Sequence, residues 1–84
     1  MQLRILVTHK EVTLSLTEGK RVIDSETLAH YHNLDGKLII GLEKLLHRQG
    51  VDVSSVKGYT LESSLNTDST SYQIARAFIE GLKA

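Results

Sequence analysis

Apolar and polar side chains alternate over the first part of the chain, and this alternation predicts strands. Residues 3–7 and 12–17 place apolar side chains at every second position. A period of two is typical of a strand with one buried face. Glu18-Gly19 marks a tight turn, because glycine tolerates a positive φ. Residues 20–24 are predicted as the third strand of a meander.

The pattern then changes to a helical period over residues 34–49. Asn33 is predicted as the N-cap of this helix. Gly50 is predicted to adopt the left-handed conformation that ends it. The apolar stripe recurs every three or four positions, at Leu34, Leu38, Gly41, Leu42, Leu45 and Leu46.

A fourth strand and a second helix are predicted in the last third of the chain. Residues 56–61 read as the strand, and a polar loop follows it. Asp68, Ser69 or Thr70 can cap the helix, which extends to Lys83. Its apolar face comprises Ile74, Ala75, Phe78 and Leu82.

The predicted fold class is α/β, with the element order β-β-β-α-β-α. The third strand must reach the fourth through a helical crossover, which is right-handed in nearly all cases. A mixed sheet of order 3-2-1-4, with the fourth strand parallel to the first, satisfies this constraint. The alternation makes one sheet face apolar and the other polar. We therefore predict a two-layer sandwich with both helices on one face and the other face in water.

Composition excludes several classes of function. The chain has 84 residues, which fits a single domain over residues 1–84. Ten Lys and Arg balance ten Asp and Glu with interspersed signs, so no basic stripe indicates nucleic acid as a partner. No cysteine is present, which excludes disulfides and thiolate metal sites. Neither a bilayer-spanning apolar run nor a signal-peptide pattern is found, so we expect a soluble cytoplasmic protein with no membrane partner.

Four stretches, through their order and spacing, carry a resemblance to a known family. Residues 4–7 stand where the family has a RILAIDT-like strand, and residues 12–16 match its SVAL-like second strand. Residues 32–46 match the start and body of its first helix. Residues 69–82 match the stretch after its GPGSFTG loop. The chain thus resembles the N-terminal region of the TsaB (YeaZ) family, in the actin/Hsp70/sugar-kinase superfamily.

The resemblance implies a fold and a mode of association. It implies half of a ribonuclease H-like, or actin-like, domain. TsaB-like proteins are non-catalytic partners in threonylcarbamoyladenosine modification of tRNA, and they associate through their first two helices. The implied partner is a second copy of the chain or a TsaD-like subunit. Carried onto this sequence, the outward positions are Leu34, Lys37, Ile40, Gly41 and Lys44 on the first helix, and Tyr72, Arg76, Ile79 and Lys83 on the second.

The chain departs from the family where its relatives handle nucleotide. Thr8-His9-Lys10 replaces an Asp-Thr pair, and Ala75 replaces a later glycine. Residues 65–71 align with the glycine-rich loop but contain no glycine, so the backbone cannot bring several N–H groups close to a phosphate. The fifth strand and the second lobe are also expected to be missing. We therefore expect no cofactor and predict that the protein is not an enzyme.

Two groups of polar residues are candidate chemical sites. His30, His32 and His47 would need to share one side with a further ligand to hold a metal ion, and solvated or capping histidines are predicted instead. Ser63-Ser64 and residues 68–71 have no histidine base near them in the sequence, so a loop and a helix cap are predicted there. No catalytic or metal-ligating residue is assigned.

Two side-chain pairs bear on packing. Asp24 and Glu26 form a close acidic pair and are predicted to be solvated turn residues. Ile39 and Ile40 lie off the main apolar stripe of the first helix. They pack either in the core of the monomer or against another molecule, and the sequence leaves both possibilities open.

Two other functional interpretations also stay open. In one, residues 65–71 belong to a remnant of a nucleotide-binding domain, and ATP with Mg²⁺ would raise the melting temperature. In the other, the family match is accidental and the chain is an unrelated small α/β regulatory module.

Overall fold

A computed structural model describes residues 1–29, 33–64 and 69–83 of the chain. A short 3₁₀ turn, Val53–Ser55, precedes the fourth strand. The strands and α-helices of the described ranges are, in chain order, β1 (Gln2–Val7), β2 (Glu11–Glu18), β3 (Arg21–Ala29), α1 (Leu34–Gln49), β4 (Gly58–Ser63) and α2 (Thr70–Lys83).

The four strands form one mixed sheet in the order β3-β2-β1-β4. β2 is antiparallel to both β1 and β3, whereas β4 runs parallel to β1. The register sets Leu3 opposite Leu16 on β2 and opposite Tyr59 on β4, so the apolar positions of three strands share a face. The predicted α/β class, strand order and parallel pairing are confirmed.

A single apolar cluster lies between one face of the sheet and the two helices. Both helices contribute to it, so both lie on the same side of the sheet. On the opposite face Arg4 pairs with Glu62 at 2.7 Å, with both side chains exposed. The buried members of the cluster are Leu3, Ile5, Val7, Val12, Leu14, Leu16, Leu34, Leu38, Leu42, Leu45, Val56, Ala75 and Ile79.

The helix ends agree in position with the sequence prediction, but one cap differs in chemistry. Gly50 has φ 64°, and its N–H donates to the carbonyl of His47 at 3.1 Å, as expected for a left-handed C-terminal cap. Asn33 holds the N-cap position with φ 56°, and its side chain makes no capping hydrogen bond. Side-chain capping requires an extended backbone there, so the predicted role of Asn33 is wrong in this respect. At α2, the N–H of Tyr72 donates to Ser69 Oγ at 3.1 Å, which identifies Ser69 as a cap.

Two strands differ in extent from the prediction. β3 continues to Ala29 rather than ending at Asp24. The additional strand residues are largely polar, so the hydrophobic pattern did not predict them as part of the strand. β4 begins at Gly58 rather than at Val56. Val56 directly follows the 3₁₀ turn, and its side chain is buried in the core.

Candidate protein-binding surface

Three of the five exposed large apolar side chains in the described residues lie on the helical side of the molecule, and the other two, Leu6 and Val22, lie on strands. Ile39 and Ile40 on α1 are 50% and 53% exposed, and Val53 in the 3₁₀ turn is 44% exposed. The question that the sequence left open for Ile39 and Ile40 is therefore answered for the single chain, because neither is buried in its core.

These side chains border an open groove of about 800 Å³. The second half of α1, the 3₁₀ turn and the end of α2 form its walls. Its apolar lining includes Leu42, Leu46, Val51, Phe78 and Leu82. We call this feature, together with Ile39, Ile40 and Val53, the helix groove.

The rim of the helix groove carries charges of both signs. Glu43 and Lys44 are neighbours on α1, and Asp52 precedes the 3₁₀ turn. His47 also lines the groove. An apolar floor with a charged rim is the usual anatomy of a protein-binding surface.

The helix positions implied by the family resemblance fall into two groups. Ile40, Lys44, Arg76 and Lys83 are exposed, and Lys37 and Tyr72 are half-buried. Three others were wrongly placed on the outside, because Leu34, Gly41 and Ile79 are buried in the core.

The error comes from the positions carried over from the family resemblance, because the apolar stripe of α1 already included Leu34 and Gly41. At Gly41 a Cβ atom would lie 2.9 Å from Leu14 Cδ1, so α1 packs closely on the sheet at this position. The face of α1 that contains Leu34 and Gly41 is buried against the sheet. On α2, Ile79 lies one turn after the buried Ala75 and faces the same core.

A second, smaller cleft of about 170 Å³ lies between α2 and the edge strand β4. Tyr59 and Leu61 of β4 line it from the sheet. From α2 it is lined by Tyr72, Arg76, Ile79, Glu80 and Lys83. We call this feature the edge cleft. It gathers all four α2 positions that the resemblance implied, whereas Ile40 and Lys44 line the helix groove.

The acidic pair on β3 is bound by a cation from α1. Arg48 Nε lies 2.9 Å from Asp24 Oδ2, and Arg48 Nη1 lies 2.8 Å from Glu26 Oε2. Both carboxylate side chains are only 21% exposed. Asp24 and Glu26 are thus strand residues held by a guanidinium, and their assignment as solvated turn residues is wrong.

This ion-pair cluster changes the acidity of Asp24. Hydrogen bonds from Arg48 lower the pKa of Asp24 from 3.8 to about 2, and Gln49 and the N–H of Ser25 act in the same direction. The same pairing raises the pKa of Arg48 above its ordinary value. Both partners therefore stay charged at neutral pH, and the cluster joins α1 to β3.

Other candidate chemistry finds no site in the described ranges. Within residues 1–29, 33–64 and 69–83, no group of three or more His, Asp or Glu side chains is arranged to hold a metal ion. His30 and His32 lie outside the described residues. So do residues 65–68, which form most of the loop that aligns with the family's glycine-rich segment.

Comparisons with known proteins leave the chain without an assigned relative. No protein-family model matches it, and no curated protein matches it. Among the helices of the described residues, none has the length and apolar character needed to cross a membrane.

Proposed function

We propose that this chain is a non-catalytic protein-interaction module that binds a second protein through its helix groove. The observation that carries the proposal is the exposure of Ile39, Ile40 and Val53 beside an apolar groove in such a small domain. Surface apolar residues that stand singly need no explanation, whereas a contiguous patch with a polar rim is typical of a binding site.

The energetic incentive to cover this surface is large for a domain of this size. Burial of one isoleucine side chain contributes roughly 1.5–3 kcal/mol, and Ile39 and Ile40 are each about half exposed. Small domains have stabilities of only about 5–15 kcal/mol. Burial of both isoleucines in a complex is therefore a substantial gain.

The rim charges favour a second copy of this chain as the partner. Glu43 and Lys44 stand side by side on α1, so a two-fold axis can set the acid of each copy near the base of the other. The formal net charge of the chain is zero, which removes long-range repulsion between copies. The two helices of each copy would then pack as a four-helix arrangement.

A TsaD-like catalytic subunit is the second candidate partner. It follows from the family resemblance, which would make the chain an accessory or scaffold subunit linked to threonylcarbamoyladenosine modification of tRNA. The observed strand order and the parallel β1–β4 pair support the related proposal that the chain forms half of a ribonuclease H-like or actin-like domain.

Light scattering of Ile40→Asp and a matched control tests the groove. We expect the wild-type chain to associate, and Ile40→Asp to at least halve its mass at the same concentration, because a buried carboxylate opposes docking. Val22→Asp is the control: Val22 is 55% exposed on β3, and it lines a surface depression with the polar-face residues Arg4 and Glu62. The control is expected to keep the wild-type mass.

Two further readouts make the outcome decisive. Circular dichroism must show that both variants keep the wild-type spectrum, since an unfolded Ile40→Asp would also lose its partner. A folded Ile40→Asp with the wild-type mass contradicts the proposal for a second copy. A wild-type monomer that forms a complex with added TsaD-like protein supports the second candidate, and a monomer that binds neither partner contradicts both.

A further inference from the structure

The two edges of the sheet differ in how their backbones are protected. On the outer edge of β3, Arg48 Nη2 donates to the carbonyl of Ser25 at 3.0 Å, and Lys37 Nζ donates to the carbonyl of Ala29 at 3.0 Å. Both donors come from α1. Asp24 and Glu26 add charge along the same strand. Charges and side-chain caps of this kind discourage pairing with another strand.

The outer edge of β4 differs from that of β3 over residues 58–62. Over residues 58–62, no side chain in the described part of the chain hydrogen-bonds to the backbone of β4. Glu62 is the strand's one charged residue, and Arg4 on the neighbouring strand holds it on the polar face of the sheet. β4 is six residues long and contains no proline or lysine. An edge of this length without blocking charges is a template for strand pairing.

We infer that the edge of β4, with the adjoining surface of α2, pairs with the same edge of a second copy across a two-fold axis. The result is a continuous eight-stranded sheet in which the two β4 strands run antiparallel. The contact uses the edge cleft and leaves the helix groove open, so the inference does not depend on the proposed function.

The position of α2 makes this pairing geometrically sound. α2 packs against both β1 and β4 to a similar extent, and we therefore take its axis to run above the space between these strands. Strands in a sheet are about 4.8 Å apart, which puts α2 about 5 Å from a two-fold axis beyond β4. The α2 helices of the two copies would then be about 10 Å apart and antiparallel, which is an ordinary distance for packed helices. Strand pairing therefore brings the helices into contact without a clash.

The charges on α2 suit an antiparallel neighbour. Arg76 and Glu80 are one helical turn apart, are both exposed, and both line the edge cleft. A two-fold axis near the midpoint between them sets Arg76 of each copy beside Glu80 of the other. Tyr59 and Leu61, which are only half-buried in the single chain, would be covered beneath these pairs.

A charge-swap series in the Ile40→Asp background tests the edge without interference from the helix groove. Light scattering across a range of concentrations is expected to show a dimer for Ile40→Asp. Addition of Arg76→Glu places two acids together at both ends of the α2–α2 contact, and we expect at least a tenfold weaker dimer. Addition of Glu80→Arg to that double variant exchanges the charges and is expected to restore the dimer.

The outcomes separate this inference from the proposed function. If Ile40→Asp is already a monomer at the highest concentrations, the edge does not pair and the inference is wrong, whereas the helix-groove proposal stands. If Ile40→Asp is a dimer and the charge series leaves its affinity unchanged, the dimer does not use α2 and the inference also fails. Slower hydrogen exchange at Tyr59 and Leu61 in the dimer than in the monomer provides a direct check of strand pairing.

Discussion

Gly41 lies at a close contact between α1 and the sheet. It is the residue of α1 whose missing Cβ atom leaves space for Leu14 and Leu28 of the strands below. Gly36, which lies earlier in the same helix, has nothing within 4 Å of the position that a Cβ atom would take. The two glycines therefore allow the same kind of change to be compared at a packed position and an open one.

We predict that Gly41→Val destabilises the protein by about 1–3 kcal/mol, because the added atoms must displace Leu14, which is fully buried, and Leu28, which is partly buried. Gly36→Ala is the control and is expected to stabilise α1 by up to about 1 kcal/mol, since alanine favours the helix more than glycine does. Urea unfolding measures both values. A neutral Gly41→Val would mean that α1 lies farther from Leu14 than the structure has it.

The Asp24–Arg48 pair leads to a prediction about pH. The pKa of Asp24 is lowered to about 2 in the folded chain, so its stabilising contribution is fully present above pH 4 and is lost as the pH falls toward 2. We expect Arg48→Met to be less stable than the wild type at pH 6, and the difference to shrink between pH 4 and pH 2. Arg21→Met, at an exposed residue of β3, is the control and should change stability little at any pH.

A carboxyl titration followed by NMR checks the cause. In Arg48→Met, the pKa of Asp24 should return toward 3.8, since its main hydrogen-bond donor has been removed. If the pKa of Asp24 stays near 2 in that variant, the guanidinium does not determine it and the ion-pair interpretation is wrong.

At the residue scale, the sequence predicted burial more reliably on strands than on helices. A strand has only two faces, so the alternation of Leu14 and Ser15 determines which side chain is buried. A helix can rotate, and small changes of rotation exchange inward and outward positions. On α2 the predicted apolar face omitted Ile79, which is buried. On α1 the apolar stripe already included Gly41, and only the family resemblance placed it on the outside.

At the scale of the elements, the end of α1 depends on one glycine. Gly50 has φ 64°, and the adjoining N–H of Val51 donates to the carbonyl of Leu46 at 3.0 Å. Together these close the last turn before the chain enters the 3₁₀ turn that borders the helix groove. A residue with a Cβ atom adopts this conformation at a cost of roughly 1–2 kcal/mol.

We predict that Gly50→Ala destabilises the protein by about 1 kcal/mol, which lowers the melting temperature of a domain this size by about 4–8 °C. Gly81→Ala in α2 is the matched control, because Gly81 is helical and has open space around its Cβ position. That variant is expected to be neutral or slightly more stable. Equal melting temperatures for the two variants would contradict the role of the left-handed cap.

The order and pairing of the elements were predictable, because they follow from the spacing of apolar residues and from the rules of strand connection. Two strands of period two, a tight turn at Glu18-Gly19 and a crossover helix leave few arrangements that bury one sheet face. The length of β3 was not predictable, because Asp24 and Glu26 are typical turn residues in the sequence. Only the folded structure shows that Arg48 of α1 pairs with both of them on the strand. Such a contact joins residues 24 positions apart and leaves no local pattern.

At the scale of the whole molecule, both candidate surfaces combine elements that are distant in sequence. The helix groove joins α1, the 3₁₀ turn and α2, and the edge cleft joins β4 and α2. The sequence identified Ile39 and Ile40 as unusual. Only the structure shows that Val53 and Phe78 line the same groove. The sequence left open whether Ile39 and Ile40 are buried in the core, so the exposure of this apolar surface and its shape both required the structure.

A nucleotide test belongs to the same scale. We predict that ATP with Mg²⁺ leaves the melting temperature of the chain unchanged, because the sequence of residues 65–71 contains none of the glycines of a phosphate-binding loop. Differential scanning fluorimetry measures the melting temperature. One control contains ADP with Mg²⁺, and a second contains Mg²⁺ without nucleotide. A rise that depends on nucleotide concentration would favour a nucleotide-binding remnant instead.

The parallel junction between β1 and β4 has a kinetic consequence. It joins Arg4 to Glu62, which lie 58 positions apart, whereas the turn between β1 and β2 is closed by residues only three positions apart. Distant contacts form slowly, because the entropy of a long loop must be lost before they are made. The meander should consequently assemble first and β4 should dock last. Pulse-labelled hydrogen exchange during refolding would reveal this order as late protection of Thr60, and simultaneous protection of Thr60 and Leu14 would refute it.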